Sequence, residues 1–463
     1  MSEAKVKDEM PIQHSNKPTH ILILGSGFAG VEVLKSLQRK FRKKNNIDIT
    51  LVSRDNFLLF TPMLHEVSSG TIEIRHIVTP IRTFIKKANF YEANVQSIDL
   101  QNKKVIITHK IGKLSEPTPY KQHVLEYDYL VIALGSETSF FGMEDIKRHS
   151  FTMKTIDDAI VLRNHLLNIL EQASLEQENS DLRKSLLTFV VVGGGFGGIE
   201  TVGELNDFVK ETVREFYKNI FMSDIKIILV NSHDKILPEV GEELGNFALQ
   251  KLKEKGVDFI MNTQVKGATA ATAKLDNGNV ISTYTLIWTA GVSPSEVMSN
   301  LACEHDKHQR IKCNDYLELS GYEGKGVYAL GDCASITDPH TGKPYPPTAQ
   351  HAIRQGKVAA KNIISSIEGK RRKKQKFDYK TKGMMAEIGK RTGVAELFGF
   401  KVHGFIAWWL WRTFYLSNLP TIKKKLKVMD DWTADLLFKP DVAMIKGYML
   451  KEEKGDHDKN ASD

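Results

Sequence analysis

The sequence predicts an α/β protein with two Rossmann-like dinucleotide-binding domains, the second inserted in the first, followed by a C-terminal membrane-associating region. Three observations predict it. The apolar run Val190-Val191-Val192 ends in Gly193-Gly194-Gly195-Phe196-Gly197-Gly198 and then opens a helical pattern, so that Gly193, Gly195 and Gly198 fit G-x-G-x-x-G. This arrangement has a near copy in Ile21-Leu22-Ile23-Leu24-Gly25-Ser26-Gly27-Phe28-Ala29-Gly30-Val31-Glu32, where the glycine spacing, the Phe and the Glu all recur. In each, the first glycine allows a tight turn and the second lets a pyrophosphate approach the backbone. The third lets helix and strand pack closely, and the helix N-terminus faces the anion. The third observation is a change of composition near the end. Four of the five tryptophans, Trp408, Trp409, Trp411 and Trp432, lie beside Lys423, Lys424, Lys425 and Lys427. Aromatics next to a lysine cluster suit the headgroup boundary of a membrane. They suit equally well a C-terminal helix pair packed on the body or on a second subunit.

Length and composition bound the alternatives. A chain of 463 residues with 41% hydrophobic and 26% charged residues has room for two or three domains with ample core. The three cysteines, Cys303, Cys313 and Cys333, offer neither a disulfide framework nor the C-x-x-C spacing of a zinc site or thiol redox pair. They suit a reducing compartment, and no metal is expected. The net charge of +8 favours an anionic partner: nucleotide, nucleic acid or membrane face. The first twenty residues carry Glu3, Asp8 and Glu9 with no apolar core, unlike a secretory signal, and no stretch reads as a bilayer span.

In chain order, residues 1–18 read as a flexible tail. A strand from Thr19 enters the first glycine turn, a helix follows through Leu34 and Leu37, and Ile47 to Val52 is the next strand. The ribose-reading position after it is Ser53, where the fold usually offers a carboxylate. The segment Phe57 to Leu64 is an apolar loop with a proline, by itself compatible with core packing. Tyr91 to Leu100 and Lys104 to His109 read as strands of a small sheet, and Tyr127 to Gly135 as a buried strand returning to the parallel sheet. Ile156 to Leu175 is helical, and the charged run to Lys184 a connector. The second βαβ unit starts near Leu186, with Ile225 to Val230 as its second strand and Asn231 at the ribose-reading position. No arginine follows directly, so NAD is favoured over NADP. Asn277-Gly278 marks a hairpin, and Thr285 to Gly291 closes the second unit as Leu130 to Gly135 closes the first. Gly326 to Ala334 is a short strand ending in Gly331-Asp332, whose aspartate can accept from ribityl or ribose hydroxyls or cap a helix. A helix from Gln350 to Ile364 and the basic run Lys370 to Lys376 follow. The domains are therefore expected at 19–145 with 305–378, at 146–304, and at 379–450, with a second flexible tail at 451–463.

These residues resemble the type II NADH dehydrogenases, single-subunit, non-pumping NADH:quinone oxidoreductases of the two-dinucleotide-binding flavoprotein class. The resemblance covers roughly residues 19–445. It is carried by the paired fingerprints, the Phe57-to-Leu64 loop, Gly331-Asp332, Pro346-Pro347-Thr348-Ala349-Gln350 and the segment ending Asp431-Trp432. It implies FAD on the first unit, at Gly25, Gly27, Gly30 and Asp332, and NADH, with NADPH as the alternative, at Gly193, Gly195 and Gly198. Around these, the cofactor-binding candidates include Phe28, Ser53, Arg54, Thr61, Pro62, Ala133, Gly135, Gly331 and Ala349. On the second unit they include Phe196, Glu200, Asn231, Ala290 and Gly291. The resemblance further implies hydride transfer from nicotinamide to flavin and two electrons onward to a membrane quinone, with the Phe57-to-Leu64 loop near the isoalloxazine. Glu200 matches a glutamate proposed in the family to help move protons; alone, it reads as a carboxylate stabilised by a helix N-terminus. Gln350 matches the first glutamine of an Ala-Gln-x-x-x-Gln quinone-side motif, and Arg354 replaces the second. Glu200, Gln350 and Arg354 are the catalytic candidates.

The expected protein is peripheral on the cytoplasmic face of the cell membrane, bound to its anionic surface, and a homodimer. Several alternatives compete. One is another NAD(P)H-dependent FAD reductase with a non-quinone acceptor; a thiol-disulfide reductase would want C-x-x-C or C-x-C near the flavin, and the sequence has neither. A sulfide:quinone oxidoreductase would need a cysteine pair flanking the flavin, and nothing places Cys303, Cys313 or Cys333 so. A nucleic-acid-binding flavoprotein would use Lys370 to Lys376, but no nucleic-acid motif accompanies that charge.

Overall fold

In the computed structural model, residues 17–112, 120–381 and 383–444 are described. The expected tails therefore fall almost wholly outside the described residues. By packing, the chain forms two compact units, each assembled from separated segments. Of the described residues, the first comprises 17–56, 84–112, 120–135 and 296–378; the second comprises 57–83, 136–295, 379–381 and 383–444.

The first unit is built on a five-stranded parallel sheet. Its strand order is Val327–Ala329, Tyr129–Ile132, Thr19–Leu24, Ile47–Ser53 and Asn89–Glu92. The central strands are continuous Ile, Leu and Val because both faces are covered, and Ile21 to Leu24 are fully buried. The helix Phe28–Lys40 turns Val33, Leu34 and Leu37 inward, and the long helix Ala349–Ile367 lies against it. That approach is close because Gly356 has no side chain: a Cβ there would stand 2.7 Å from the Ala29 carbonyl oxygen. The expected strand Tyr91 to Leu100 is in fact two. Asn89–Glu92 joins the parallel sheet, whereas Asn94–Asp99 pairs antiparallel with Lys104–Lys110 in a separate sheet.

The second unit repeats the theme with Val257–Ile260, Lys226–Val230, Thr188–Val192 and Thr285–Trp288, again all parallel. The pairing Leu24↔Val52 and Leu24↔Ile132 in the first sheet has its counterpart in Val192↔Val230 and Val192↔Trp288. The duplication expected from the sequence is thus present over four strands, with Val327–Ala329 added to the first sheet. The helices Ile156–Leu175 and Phe196–Phe216 share a core with Phe189, Val191 and Ile227. Asn277-Gly278 turns a hairpin between Thr272–Leu275 and Val280–Ser282, with Gly278 at φ 87°.

The same unit carries the C-terminal region. Gly383–Glu387, Gly393–Leu397 and Phe400–Gly404 form an antiparallel sheet, followed by the helices Phe405–Asn418 and Ile422–Leu437. No helix among the described residues is long and apolar enough to cross a membrane. Of the two readings that the sequence leaves open for the C-terminal tryptophans, membrane boundary or helix packing, three of the four follow the packing one. Trp408, Trp411 and Trp432 are buried, and only Trp409 is exposed. The exposed aromatics are instead Phe398, Phe400, Phe405, Phe414 and Phe438, with Ile406, Ile422 and Leu437. Arg412 interrupts the apolar run because it points inward: its guanidinium lies over the rings of Trp408 and Trp432, at 4.2 and 4.6 Å, and bonds Glu66 Oε1 at 3.1 Å.

Candidate functional site

The first glycine turn has the shape of a pyrophosphate cradle. Gly25 takes φ 99°, and a Cβ there would meet the Ala133 carbonyl oxygen at 2.2 Å. A Cβ on Gly30 would stand 1.9 Å from the Gly25 carbonyl oxygen, so any side chain would push the helix off the strand. Gly27, by contrast, has open space before it. It is the N-cap of Phe28–Lys40, whose first turn has no side-chain cap bond and no acidic residue. The positive end of the helix and its orphan N–H groups are left for an anion from outside. Ser53 ends its strand beside the turn and shares a 2.8 Å hydrogen bond with Ser26. Arg54 pairs with Asp55. Ala133 closes the neighbouring strand, its N–H donating to Leu24 O, and Gly135 follows at φ 70°.

Gly331 and Asp332 lie in a short 3₁₀ turn after Val327–Ala329. The Gly331 N–H donates to Gln355 Oε1 at 2.7 Å. Gln355 was not among the expected residues. It is buried on the helix that Ala349 begins, one residue beyond Arg354, so its carboxamide does not take the place of the motif's second glutamine. Arg354 Nη1 donates back to the Gln350 carbonyl at 2.8 Å, which fixes the cation within one turn of Gln350. His351 is buried between them, and desolvation, then the Arg354 charge, depress it to about 4, a neutral imidazole at ordinary pH. The three cysteines also belong to this unit. Burial raises Cys333 and Cys303 to about 11 and Cys313 higher still, so none is a ready thiolate.

The second glycine turn repeats the first. Gly193 takes φ 116°, and a Cβ on Gly198 would lie 1.9 Å from the Gly193 carbonyl oxygen. Thr289 Oγ1 bonds Val192 O at 2.7 Å and floors the turn. Gly195 is the N-cap of Phe196–Phe216, again open in front, with no side-chain cap bond and no acidic first turn. Ala290 and Gly291, φ 89°, follow the closing strand. Asn231 is placed differently from the expected ribose reader. Its Oδ1 accepts from Gly194 N at 3.0 Å, and its Nδ2 donates to the carbonyls of His233 and Lys235. Three of its four hydrogen-bonding positions hold the loop, which leaves one lone pair for any ligand.

Thr61 and Pro62 begin a 3₁₀ turn that runs into the short helix Leu64–Ser68. This helix contributes His65 and Glu66 to a buried polar cluster that the sequence alone did not reveal. His65 Nε2 lies 3.3 Å from Glu387 and its Nδ1 3.9 Å from Glu200. Trp408 Nε1 donates to Glu387 at 2.6 Å, and the Glu387 N–H meets Glu200 Oε1 at 3.4 Å. Burial pushes Glu200, Glu204 and Glu387 up to about 7, and Glu66 well above the usual carboxylate range. The opposing charges are Arg412, His65 and, for Glu387, Lys255. Four carboxylates in one desolvated space do not all ionise together, which favours protons held within the cluster.

Two family models match the chain. Residues 19–356 match the pyridine nucleotide-disulphide oxidoreductase family and residues 381–441 the NDH2 C-terminal domain. A probable NADH dehydrogenase of Dictyostelium discoideum is 32% identical over 427 residues, covering 91% of this chain and 90% of that one. The type II NADH:quinone oxidoreductase Ndh of Mycobacterium tuberculosis is 30% identical over 429 residues, covering 90% and 88%. Among solved structures, NDH2 from Plasmodium falciparum in complex with NADH shares the fold at TM-score 0.83 and 22% identity, covering 92% of this chain and all of that one. With two glycine cradles, a matching C-terminal domain and relatives aligned over nine-tenths of its length, the chain belongs to the type II NADH dehydrogenases of the pyridine nucleotide-disulphide oxidoreductase family.

Proposed function

We propose that this chain is a peripheral membrane flavoenzyme that oxidises NADH and reduces a quinone without pumping protons. The observation that carries the reading is the pair of complete, uncapped glycine cradles on one chain. The first would hold FAD, with Gly25, Gly27 and Gly30 at the pyrophosphate, Ser53 and Asp332 toward hydroxyls, and Gly331 kept in place by Gln355. The second would hold NADH at Gly193, Gly195 and Gly198. When bound, the flavin supplies a two-electron carrier between nicotinamide and quinone. The protein's part is to position the reactants and to manage charge and protons. Glu200 is placed to hold or release a proton near neutral pH. Gln350 and Arg354, joined through one helical turn, are the groups proposed to face the acceptor, Gln350 by hydrogen bonding and Arg354 as a fixed cation that favours developing negative charge.

The sulfide:quinone alternative is disfavoured by three thiols that burial keeps protonated. The basic run offers nucleic acid little, because Lys370, Lys374 and Lys376 pair with Glu368, Glu318 and Asp315 of the same chain. Membrane attachment is proposed through the exposed face that carries Phe398, Phe400, Phe405, Trp409 and Ile422 beside Lys423 and Lys425. The cytoplasmic face and a homodimer complete the proposal. The test is anaerobic stopped-flow of the purified protein. Rapid bleaching of flavin absorbance by NADH, followed by reoxidation by a quinone analogue, is expected. Bleaching by sulfide and not by NADH would overturn the reading. Arg354→Gln should change quinone reduction more than ferricyanide reduction, and equal effects would place Arg354 away from the acceptor.

A further inference from the structure

The helix Phe196–Phe216 carries Glu200, Glu204, Asp207 and Glu211. These positions are spaced i, i+4, i+7 and i+11, so the four carboxylates form one stripe along a single face. On a soluble helix such a stripe belongs in water, but here Glu204 lies in the interior between the partly exposed Glu200 and Asp207. Glu204 is 1% exposed, and among the described residues neither of its carboxylate oxygens meets a partner at full hydrogen-bonding geometry. The Ser69 hydroxyl lies beside it, and its single proton is shared among Glu204, the Glu66 carbonyl and Thr71. Glu204 lines a cavity of about 20 Å³ with Ser69, Phe208, Glu211, Lys390 and Asp435, room for a single water. That cavity shares Glu211, Lys390 and Asp435 with a cleft of about 450 Å³. A buried carboxyl with only a shared hydroxyl beside it, lining a water-sized cavity, is unfavourable for stability, and it suits a group that exchanges protons.

We propose that Glu204 is a proton relay, passing protons from the Glu211–Lys390–Asp435 cleft along the helix face to the Glu200–His65–Glu387 cluster. The inference rests on the quinone-reductase reading. NADH delivers a hydride, which is two electrons and one proton, whereas a quinone needs two electrons and two protons to become a quinol. Each turnover therefore draws one proton from solvent. In the relay, the Glu204 O–H gives its proton toward the cluster one helical turn away, and the carboxylate left behind takes another from water in the cavity. The groups facing Glu204 make it poised rather than fixed. Glu200, Asp207 and Glu211 come from its own helix, Glu66 from Leu64–Ser68 and Glu387 from Gly383–Glu387, and all favour its protonated form. His65, Arg412, Lys255 and Lys390 oppose them, and Lys390 is itself held by Glu211 and Asp435 at 2.7 and 2.8 Å.

Glu204→Gln keeps the shape and removes the exchangeable acid. The two half-reactions are then measured separately by stopped-flow in H₂O and D₂O, from about pH 6 to about pH 9. Flavin bleaching by NADH should stay within about twofold of wild type. Reoxidation by a quinone analogue should slow about tenfold or more, lose its wild-type pH profile and show a larger solvent isotope effect. A quinone half-reaction with wild-type rate, pH profile and isotope effect would overturn the relay. If Glu204→Gln does not fold, Glu211→Gln/Asp435→Asn at the solvent end replaces it. That variant should slow the quinone half-reaction in dilute buffer and recover in concentrated imidazole buffer, and a wild-type rate in dilute buffer would overturn the relay. Failure of NADH to bleach the wild-type flavin would instead refute the activity on which the relay rests.

Discussion

Arg412→Met should destabilise the second unit in a way that grows with pH. The guanidinium is the charge most directly opposing burial at Glu66, which it meets at 3.1 Å; Trp432 Nε1 donates to the same oxygen at 2.9 Å, and Oε2 has no partner among the described residues. Losing one side of a buried pair costs about 3–5 kcal/mol when the survivor must stay charged. Glu66 can escape by binding a proton, which caps the loss. Holding a glutamate neutral at pH 7, against an unfolded value of about 4.3, costs about 3.7 kcal/mol, and at pH 5.5 only about 1.6 kcal/mol. These are ceilings, because burial and Glu387 already raise Glu66 with the arginine present. The sign follows from linkage. A carboxyl whose folded pKa lies above its unfolded one contributes least cost below the unfolded value and removes stability as pH climbs toward the folded value. Removing Arg412 extends that window upward. By thermal unfolding followed through flavin release and near-UV signal, Arg412→Met should melt about 5–10 °C below wild type at pH 8, and clearly less below it at pH 5.5. The double variant Glu66→Gln/Arg412→Met should recover at least half of the loss. An equal drop at both pH values, or no recovery in the double variant, would refute the electrostatic account and leave lost packing against Trp408 and Trp432 as the cause.

The remaining predictions concern the membrane face and the cradles. Phe398→Ser/Phe400→Ser/Phe405→Ser should weaken binding to anionic vesicles at least about tenfold, since even half-insertion of each ring contributes roughly 2 kcal/mol, while flavin content and NADH:ferricyanide activity persist; flotation with lipid at the wild-type level would move the contact elsewhere. These changes are a cleaner test than deleting residues from Phe405 onward, because that deletion also removes the buried Trp408, Trp411, Arg412 and Trp432. Gly198→Ala should raise the KM for NADH about tenfold or more with flavin retained, because its Cβ would collide with Gly193 O, whereas Gly30→Ala should instead lose flavin. Flavin loss in both variants, measured by absorbance after gel filtration, would contradict separate cradles.

What could be read from the sequence was what is decided locally. A glycine turn between an apolar strand and a helix is specified within a dozen residues, so both cradles and their strands stand where Gly25 and Gly193 placed them. The Asn277-Gly278 hairpin is equally local. What failed depended on distant partners. Tyr91 to Leu100 looks like one strand, yet Ala93 separates residues that join two different sheets. Trp408, Trp411 and Trp432 carry the composition of a membrane boundary, and only Glu387, 21 residues before Trp408, and Glu66, 366 residues before Trp432, show why two of them are inside: their indole N–H groups cap buried carboxylates. Asn231 occupies the ribose-reading position, but loop closure claims its amide.

The buried carboxylates are the most instructive case. Polar residues on a helix are ordinarily assigned to its wet face, and Glu200, Glu204, Asp207 and Glu211 invite that assignment. The same helix, however, buries Ile199, Val202, Leu205, Phe208 and Val209 together with Thr201, Glu204 and Asn206, so a polar residue on it does not by itself mark a wet face. The stripe is closed at Glu204, between the partly exposed Glu200 and Asp207, and Glu211 lines the cleft. An apolar side chain would fit the interior at Glu204 at lower cost to stability. An acid kept there is better explained by what it can carry than by what it holds together.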